Sequence, residues 1–250
     1  MAADSAATFT TPPGDSTVYQ KCKKLYILGD DLIIGSSGPV GLAQTFCQEI
    51  EAALNNKNSK CYWKTPLSAK TDLRSLMWKH AEQEWKSYAV VAQATRQLQP
   101  TFSTMIALRI GDTPHLLEFD QRCSPEEATD DLPYKCIGSG QPLADMFLAF
   151  TRRVLWPEGL PALQDAVFQA YWAVSQAIEV APSGLAGPVR IMTLSKHEES
   201  WQAKELQDDD LQEGLSAIKS AEDSIKQAVA KALGAEDIEA DSPPIPIPPS

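Results

Sequence analysis

Apolar and polar positions alternate in "KKLYILGDDLIIGSSG" on both sides of a Gly-Asp-Asp turn, which predicts a hairpin with strands near Lys24–Leu28 and Leu32–Ser36. From Val40 the spacing becomes helical: Val40, Leu42, Phe46, Ile50, Ala53 and Leu54 share one face until "NNKNSK" stops the pattern. A second helix is expected from about Thr71 to Ala92, with Leu73, Leu76, Met77, Trp85, Tyr88 and Val91 on its stripe. "TFSTMIALRI" and "HLLEFD", separated by "GDTP", predict another hairpin. After the loop "RCSPEEATDD", "YKCIG" reads as a short strand that passes through a small-residue turn into the helix of "SGQPLADMFLAFTRRVL". "GLPALQDAVFQAYWAVSQAIEV" is a further helix with Pro161 in its first turn, and "GPVRIMTL" closes the body as a strand.

The order is therefore hairpin, two helices, hairpin, strand, two helices, strand. Grouped strand pairs and helix pairs argue for antiparallel sheets covered by helices, not for a wound βαβ sheet. The expected class is α+β, with two sheets facing each other and a helix layer outside each. From Trp201 onward Leu211, Leu215, Ile218, Ile225 and Val229 keep a 4-3 spacing that Glu222 interrupts, as in an amphipathic helix of about twenty residues. "DSPPIPIPPS" then reads as a solvated, polyproline-like tail. The expected organisation is a body over 1–196, an acidic C-terminal helix over 197–235 and a disordered tail over 236–250, with no internal repeat.

Composition narrows the function classes. A chain of 250 residues that is 43% hydrophobic can bury one full core. The formal charge is −11, and the last fifty residues hold four lysines against eleven acids, so most of the excess sits in the tail. Such a balance speaks against nucleic acid and anionic membranes as partners, because both are bound through Lys and Arg meeting phosphate. Without a long apolar run or a signal-like N-terminus, a soluble, cytoplasmic protein is expected. Cys22, Cys47, Cys61, Cys123 and Cys136 form no Cys-x-x-Cys pair and are odd in number, which fits reduced thiols.

Several local motifs fail on chemistry. "SKHEESW" puts Trp201 where a zinc helix needs its second histidine, which leaves His197 a surface residue. In "IGSSGP" neither Ser36 nor Ser37 has the flanking glycines of a nucleophile elbow. The glycines of Gly138–Gly140 have neither the third glycine nor the lysine of a phosphate loop. No metal and no cofactor is expected. Lys23 and Lys24 open an apolar strand, and alternation sends their ammonium groups to opposite faces, so one of them can be buried.

Taken together, four stretches resemble the proteasome β-type subunit family of N-terminal-nucleophile hydrolases, with the look of a bacterial proteasome-like homologue. "AADSAAT" is similar to its Asp-Ser corner, "KKLYIL" to its lysine strand, "IGSGQPLA" to its Gly-Ser-Gly turn before a helix, and "SGLAGPVRIMTL" to its Ser-Gly turn and closing strand. The four occur in the family's order between Ala2 and about Leu194, and the family's αββα sandwich agrees with the element order above. The resemblance implies a threonine endopeptidase, in which an N-terminal threonine attacks through its hydroxyl while its own amine, with a reference pKa near 8, takes the proton. It implies Lys24 as the buried cation beside that amine, Asp4 as its partner, Ser139 and Ser183 as hydrogen-bonding serines, and a backbone N–H of Ser37 or Gly38 as oxyanion donor. The family's nucleophile strand precedes the Asp-Ser corner, so this chain is expected to lack it, and cleavage before Thr10 or Thr11 does not replace it. Where the family has an aspartate three residues before Ser183, this sequence has Val180, with Glu179 beside it. The implied partners are a homo-oligomeric ring or related subunits, a peptide or unfolded-protein substrate and an ATP-dependent unfoldase. The alternatives are a non-catalytic structural subunit of such a ring and an unrelated intracellular binding domain working through its acidic helix.

Overall fold

The computed structural model describes residues 1–11, 16–55, 63–95, 102–157, 159–181 and 184–233. Ala2 and Ala3 form the short strand β1, and β2 (Ala6–Thr11) pairs with β3 (Ser16–Lys21) in a hairpin that the sequence reading did not anticipate. The expected second hairpin follows as β4 (Leu25–Leu28) and β5 (Leu32–Ser37), turning where Gly29 adopts a positive φ of 62°. Leu32, Ile33, Ile34 and Gly35 are all buried, as in a strand covered on both faces.

Helix α1 (Val40–Asn55) buries Leu42, Ala43, Phe46, Cys47 and Ile50, the stripe that its spacing predicted. Helix α2 (Pro66–Thr95) begins five residues before the expected Thr71. Its start is fixed by a reciprocal cap: the Ser68 amide donates to Thr65 Oγ1 at 3.2 Å and the Thr65 amide donates to Ser68 Oγ at 3.3 Å, with Pro66 between them. Strands β6 (Ser103–Ile110) and β7 (Thr113–Phe119) form the predicted hairpin. The next strand is not "YKCIG", which carries no strand; it is β8 (Pro125–Glu127), inside the segment read as a loop. Asp120 Oδ1 accepts the amides of Arg122 and Ser124 at 2.8 and 2.7 Å, and this turn returns the chain alongside β7.

Helices α3 (Gln141–Leu155) and α4 (Leu163–Val180) pack against each other, with Phe147 edge-on to Trp172 and the Gln169 amide donating to Thr151 Oγ1. Pro161 precedes the N-cap Ala162 and so lies outside the first turn where it was expected. Strand β9 (Arg190–His197) continues into an unexpected partner, β10 (Ser200–Glu205), whose alternating exposure is strand-like. The helix expected from Trp201 starts instead at Asp208, as α5 (Asp208–Ala232).

Sheet order is β4-β5-β6-β7-β8 in the larger sheet and β1-β9-β10 in the smaller, with every pairing antiparallel. Helices α1 and α2 cover one face of the larger sheet through a core that includes Phe46, Leu73, Met77, Ile106 and Phe119. The other face meets the smaller sheet where Leu25 and Ile33 pack on Met192, and α4 lies against β1 and β9. These are the four layers of the αββα sandwich that the sequence predicted.

The chain divides into two compact units, Met1–Leu206 and Gln207–Ser250. In the second, Gln207 and Asp210 cap α5 reciprocally, and the acids Asp209 and Asp210 stand at the positive end of its dipole. The Pro-rich tail read at 236–250 lies outside the described residues. Among those described, no helix is long and apolar enough to cross a membrane.

Candidate functional site

The corner between β1 and β2 is tied down by its two polar residues. Asp4 is buried, and its Oδ2 accepts the amide of Ala6 at 3.0 Å and that of Ala186 at 3.5 Å. Its other oxygen accepts Lys24 Nζ at 2.7 Å. Ser5 donates its amide to the Ala186 carbonyl at 2.8 Å and its hydroxyl to the Pro188 carbonyl at 2.6 Å. The Asp-Ser corner thus joins the segment before β9 to Lys24, the residue just before β4. Three donors fill most of the carboxylate's acceptor positions, which is how a largely buried charge is tolerated.

Lys24 points inward at a side-chain exposure of 23%, while Lys23 is exposed and sits over the Tyr26 ring at 5.3 Å. The backbone leading into β4 turns the two to opposite sides, the separation expected for adjacent residues of extended chain.

The Gly-Ser-Gly turn comes from the opposite side. Gly138 has φ +93°, and a Cβ there would lie 2.8 Å from Ser37 Oγ at the end of β5. Only glycine fits that backbone conformation and that approach. Ser139 follows, its Oγ 3.7 Å from where a Cβ on Gly184 would stand, so the turn before α3 also abuts the turn before β9.

Asp4, Lys24, Ser37 and Ser139 all line one cavity of about 570 Å³, together with apolar residues such as Ile33, Met105, Leu148 and Leu185. Gly38, the alternative oxyanion position, has φ +109° and does not line it. Ser183 lies outside the described residues. Met1 lines the cavity as well: its amine donates to the Met192 carbonyl at 2.6 Å, and burial pushes that amine down to about 6. Thr10 and Thr11 pair with Thr17 and Ser16 within the β2–β3 hairpin.

Two further residues bear on the family pattern. Val180 stands 65% exposed at the end of α4. Glu179 is also exposed and accepts a hydrogen bond from Gln176, so it does not supply the missing carboxylate.

Sequence reasoning missed one cavity residue with chemistry of its own. Cys136 is half-buried on the wall, and its thiol is pushed well above the ordinary range by burial, by a hydrogen bond with Asp145, and by the charges of Asp145 and Glu118. It is a protonated, polar-tipped lining residue. Its place two residues before the Gly-Ser-Gly turn is the one signal the sequence carried. Cys47 and Cys123 are pushed up to about 11, chiefly by burial, and belong to the core under α1 and α2. The described cysteines, Cys22, Cys47, Cys123 and Cys136, are all free. Among the described residues no His, Cys, Asp and Glu group could hold a metal ion. His197 is exposed at the end of β9, within 3.3 Å of Ser195 Oγ.

No protein-family model matches the sequence, and no curated protein matches it. Solved structures do. Anbu (ancestral beta-subunit) from Yersinia bercovieri superposes with a TM-score of 0.68 at 14% identity, covering 96% of this chain and 94% of that one. Anbu from Hyphomicrobium sp. strain MC1 gives 0.63 at 15% identity over the same shares. The helical assembly of the Anbu complex from Pseudomonas aeruginosa gives 0.64 at 14%, covering 96% and 93%. At these identities the likeness establishes the N-terminal-nucleophile hydrolase fold. It also corrects the sequence-based assignment to the proteasome β-type subunit family: the neighbours are Anbu proteins, proteasome-like but a distinct family. The four motifs fall on elements of the αββα framework, and a fold reaches wider than one family.

Proposed function

We propose that this chain is a subunit of a self-assembling, proteasome-like particle and that its intersheet cavity holds peptide for hydrolysis of the N-terminal-nucleophile kind. The carrying observation is the convergence of Asp4, Lys24, Ser37 and Ser139 from four separate segments onto one cavity. In this reading Lys24, held by Asp4 at 2.7 Å, is a fixed positive charge. It lowers the proton affinity of an adjacent amine and stabilises the oxyanion that forms when a hydroxyl attacks the peptide carbonyl. In this reading Ser139 hydrogen-bonds around that amine, and the backbone N–H at Ser37 faces the oxyanion. The apolar remainder of the lining accommodates a peptide side chain. The Anbu structure solved as a helical assembly supports like subunits as the partners.

In this reading the attacking group is a threonine hydroxyl whose own α-amine is free, so turnover and assembly are measured together. The test is light scattering and short-peptide hydrolysis on protein isolated from its native cells, with its N-terminal residue sequenced. The expected result is a multi-subunit particle with an amine-bearing threonine, whose turnover falls at least about 100-fold in Lys24→Ala. A monomer, or turnover indifferent to Lys24, overturns the reading. Val180 favours a second reading, a subunit that assembles without cutting, because the carboxylate that would orient this cluster is missing. Particles that form normally and hydrolyse nothing are its signature.

A further inference from the structure

The cavity continues past the polar cluster along one flank of α3. Gln141, Ala144, Leu148 and Arg152 all line it at intervals of three or four residues, so one stripe of the helix walls it from the Gly-Ser-Gly turn onward. Ala166, Val167, Ala170 and Val174 of α4 also line it and keep its middle apolar. Charge returns at Arg152. Its guanidinium donates to the Gly159 carbonyl at 3.1 Å and to the Asp130 carbonyl at 3.2 Å, so the α3–α4 connection and the segment after β8 hold it from two sides. The other basic side chains of the lining meet carboxylates: Lys24 meets Asp4, Lys135 meets Glu126 and His115 meets Glu127. Among the described residues, the hydrogen bonds of Arg152 go instead to neutral carbonyls, which fix the guanidinium without cancelling its charge.

We infer that Arg152 anchors the C-terminal carboxylate of a bound peptide; the inference rests on the peptide-hydrolysis reading above and names its substrate class, short peptides with a free C-terminus. A guanidinium presents its N–H donors in a planar fork, and those not given to the two carbonyls match a carboxylate edge. An apolar passage sharpens the choice, because a carboxylate that leaves water has to find a cation there, whereas a neutral end group gains nothing from the charge. Spacing sets the length. Gln141 and Arg152 stand eleven positions apart on α3, about 16 Å at 1.5 Å per residue, and an extended peptide covers that distance in about five residues. A peptide whose scissile carbonyl lies beside Ser37 and Ser139 therefore sets its terminus on Arg152 when about five residues follow the cut, and a longer one overshoots it.

The experiment measures binding, which needs no turnover: fluorescence anisotropy on the full chain with two probes, Ala-Leu-Ala-Leu-Ala labelled at its N-terminus and ending in either a carboxylate or an amide. The acid is expected to bind at least about 10-fold more tightly than the amide. In Arg152→Gln the acid is expected to fall to the level of the amide, while the amide binds as it does to the parent chain and so reports an intact cavity. Arg152→Lys is expected to restore part of the difference, since it returns the charge without the fork. Acid and amide that bind the parent chain equally overturn the anchor alone. So does a preference that survives Arg152→Gln and disappears in Lys24→Met, which seats the carboxylate on the other cation. Loss of both probes in Arg152→Gln, with both regained in Arg152→Lys, makes the arginine a support of the cavity wall and overturns the anchor as well. A parent chain that binds neither probe overturns the peptide reading of the cavity with it.

Discussion

The two faces of the five-stranded sheet are filled with different materials. Outside, Ile34, Ile106, Leu117 and Phe119 interlock with Phe46, Leu73 and Met77 of α1 and α2, and all of these are nearly inaccessible. Inside, Leu25 and Ile33 meet Met192 with small partners such as Ala3, Ala107 and Ala203, and the cavity that holds Lys24, Ser37 and Ser139 opens beside them. One face is built for packing and the other for room. The difference teaches where stability and chemistry are separated in this fold: side-chain volume is concentrated on the helix-covered face, and polar groups with glycines are concentrated on the other.

That contrast can be broken with a single pair of equal truncations. Ile106→Ala and Ile33→Ala remove the same atoms from two fully buried sites on opposite faces. Urea unfolding is expected to show a loss near 4 kcal/mol for Ile106 and near 2 kcal/mol for Ile33, because the latter borders space that already exists. Equal losses would mean that the inner face is packed as tightly as the outer.

The next largest effect tests the polar inner face. Asp4→Ala strands the Lys24 ammonium and is expected to cost about 2–3 kcal/mol, less than a fully buried pair because Lys24 keeps some solvent. In the double variant with Lys24→Met the loss should be smaller than the sum by at least about 1 kcal/mol, measured as a double-mutant cycle. Strict additivity would remove the pair from the site.

Gly138→Ala follows, at about 1–2 kcal/mol, from its positive φ and its 2.8 Å approach to Ser37 Oγ. Displacement of Ser37, seen in a crystal structure of the variant, is the accompanying readout. The smallest effect is pH-dependent. Burial, the largest cause, holds the Glu118 carboxyl above its ordinary range. A carboxyl raised in the fold contributes stability below its unfolded pKa near 4.5, and that contribution is lost as pH rises through the folded value. Glu118→Gln is therefore expected to raise the melting midpoint at pH 7 by the equivalent of less than about 1 kcal/mol after solvent screening, and to leave it unchanged at pH 4. A larger gain at pH 4 than at pH 7 would reverse the assignment.

The outer face was legible in the sequence because its period is repetitive: the stripe from Leu42 to Ile50 and the hairpin of Leu25–Leu28 with Leu32–Ser37 stand where spacing placed them. Boundaries set by side-chain caps were not. Thr65 and Ser68 begin α2 before its apolar stripe starts, and the Asp120 turn makes a strand of Pro125–Glu127, whose composition argues against one. Strand β10 was hidden because "SWQAKE" precedes a helical stripe and was read as its first turn. In the site, the pairing of Asp4 with Lys24 across twenty positions was reachable only through the resemblance. Nothing local could show that Gly138 touches Ser37, a contact between segments a hundred residues apart.

The smaller sheet is closed by a join between the ends of the body: the Met1 amine donates to the Met192 carbonyl and the Met192 amide donates back to the Met1 carbonyl at 2.9 Å. The larger sheet pairs mostly near neighbours and can form early, whereas this join must wait for a loop of nearly the whole body to close. During synthesis at about 5–20 residues per second, β1 leaves the ribosome roughly 10–40 s before β9 exists to receive it. Until then the cavity lacks Ile191, Thr193 and Leu194 from its lining, and Asp4 has no folded segment before β9 from which to take the Ala186 amide. The order of translation therefore leaves the candidate site open until β9 has emerged.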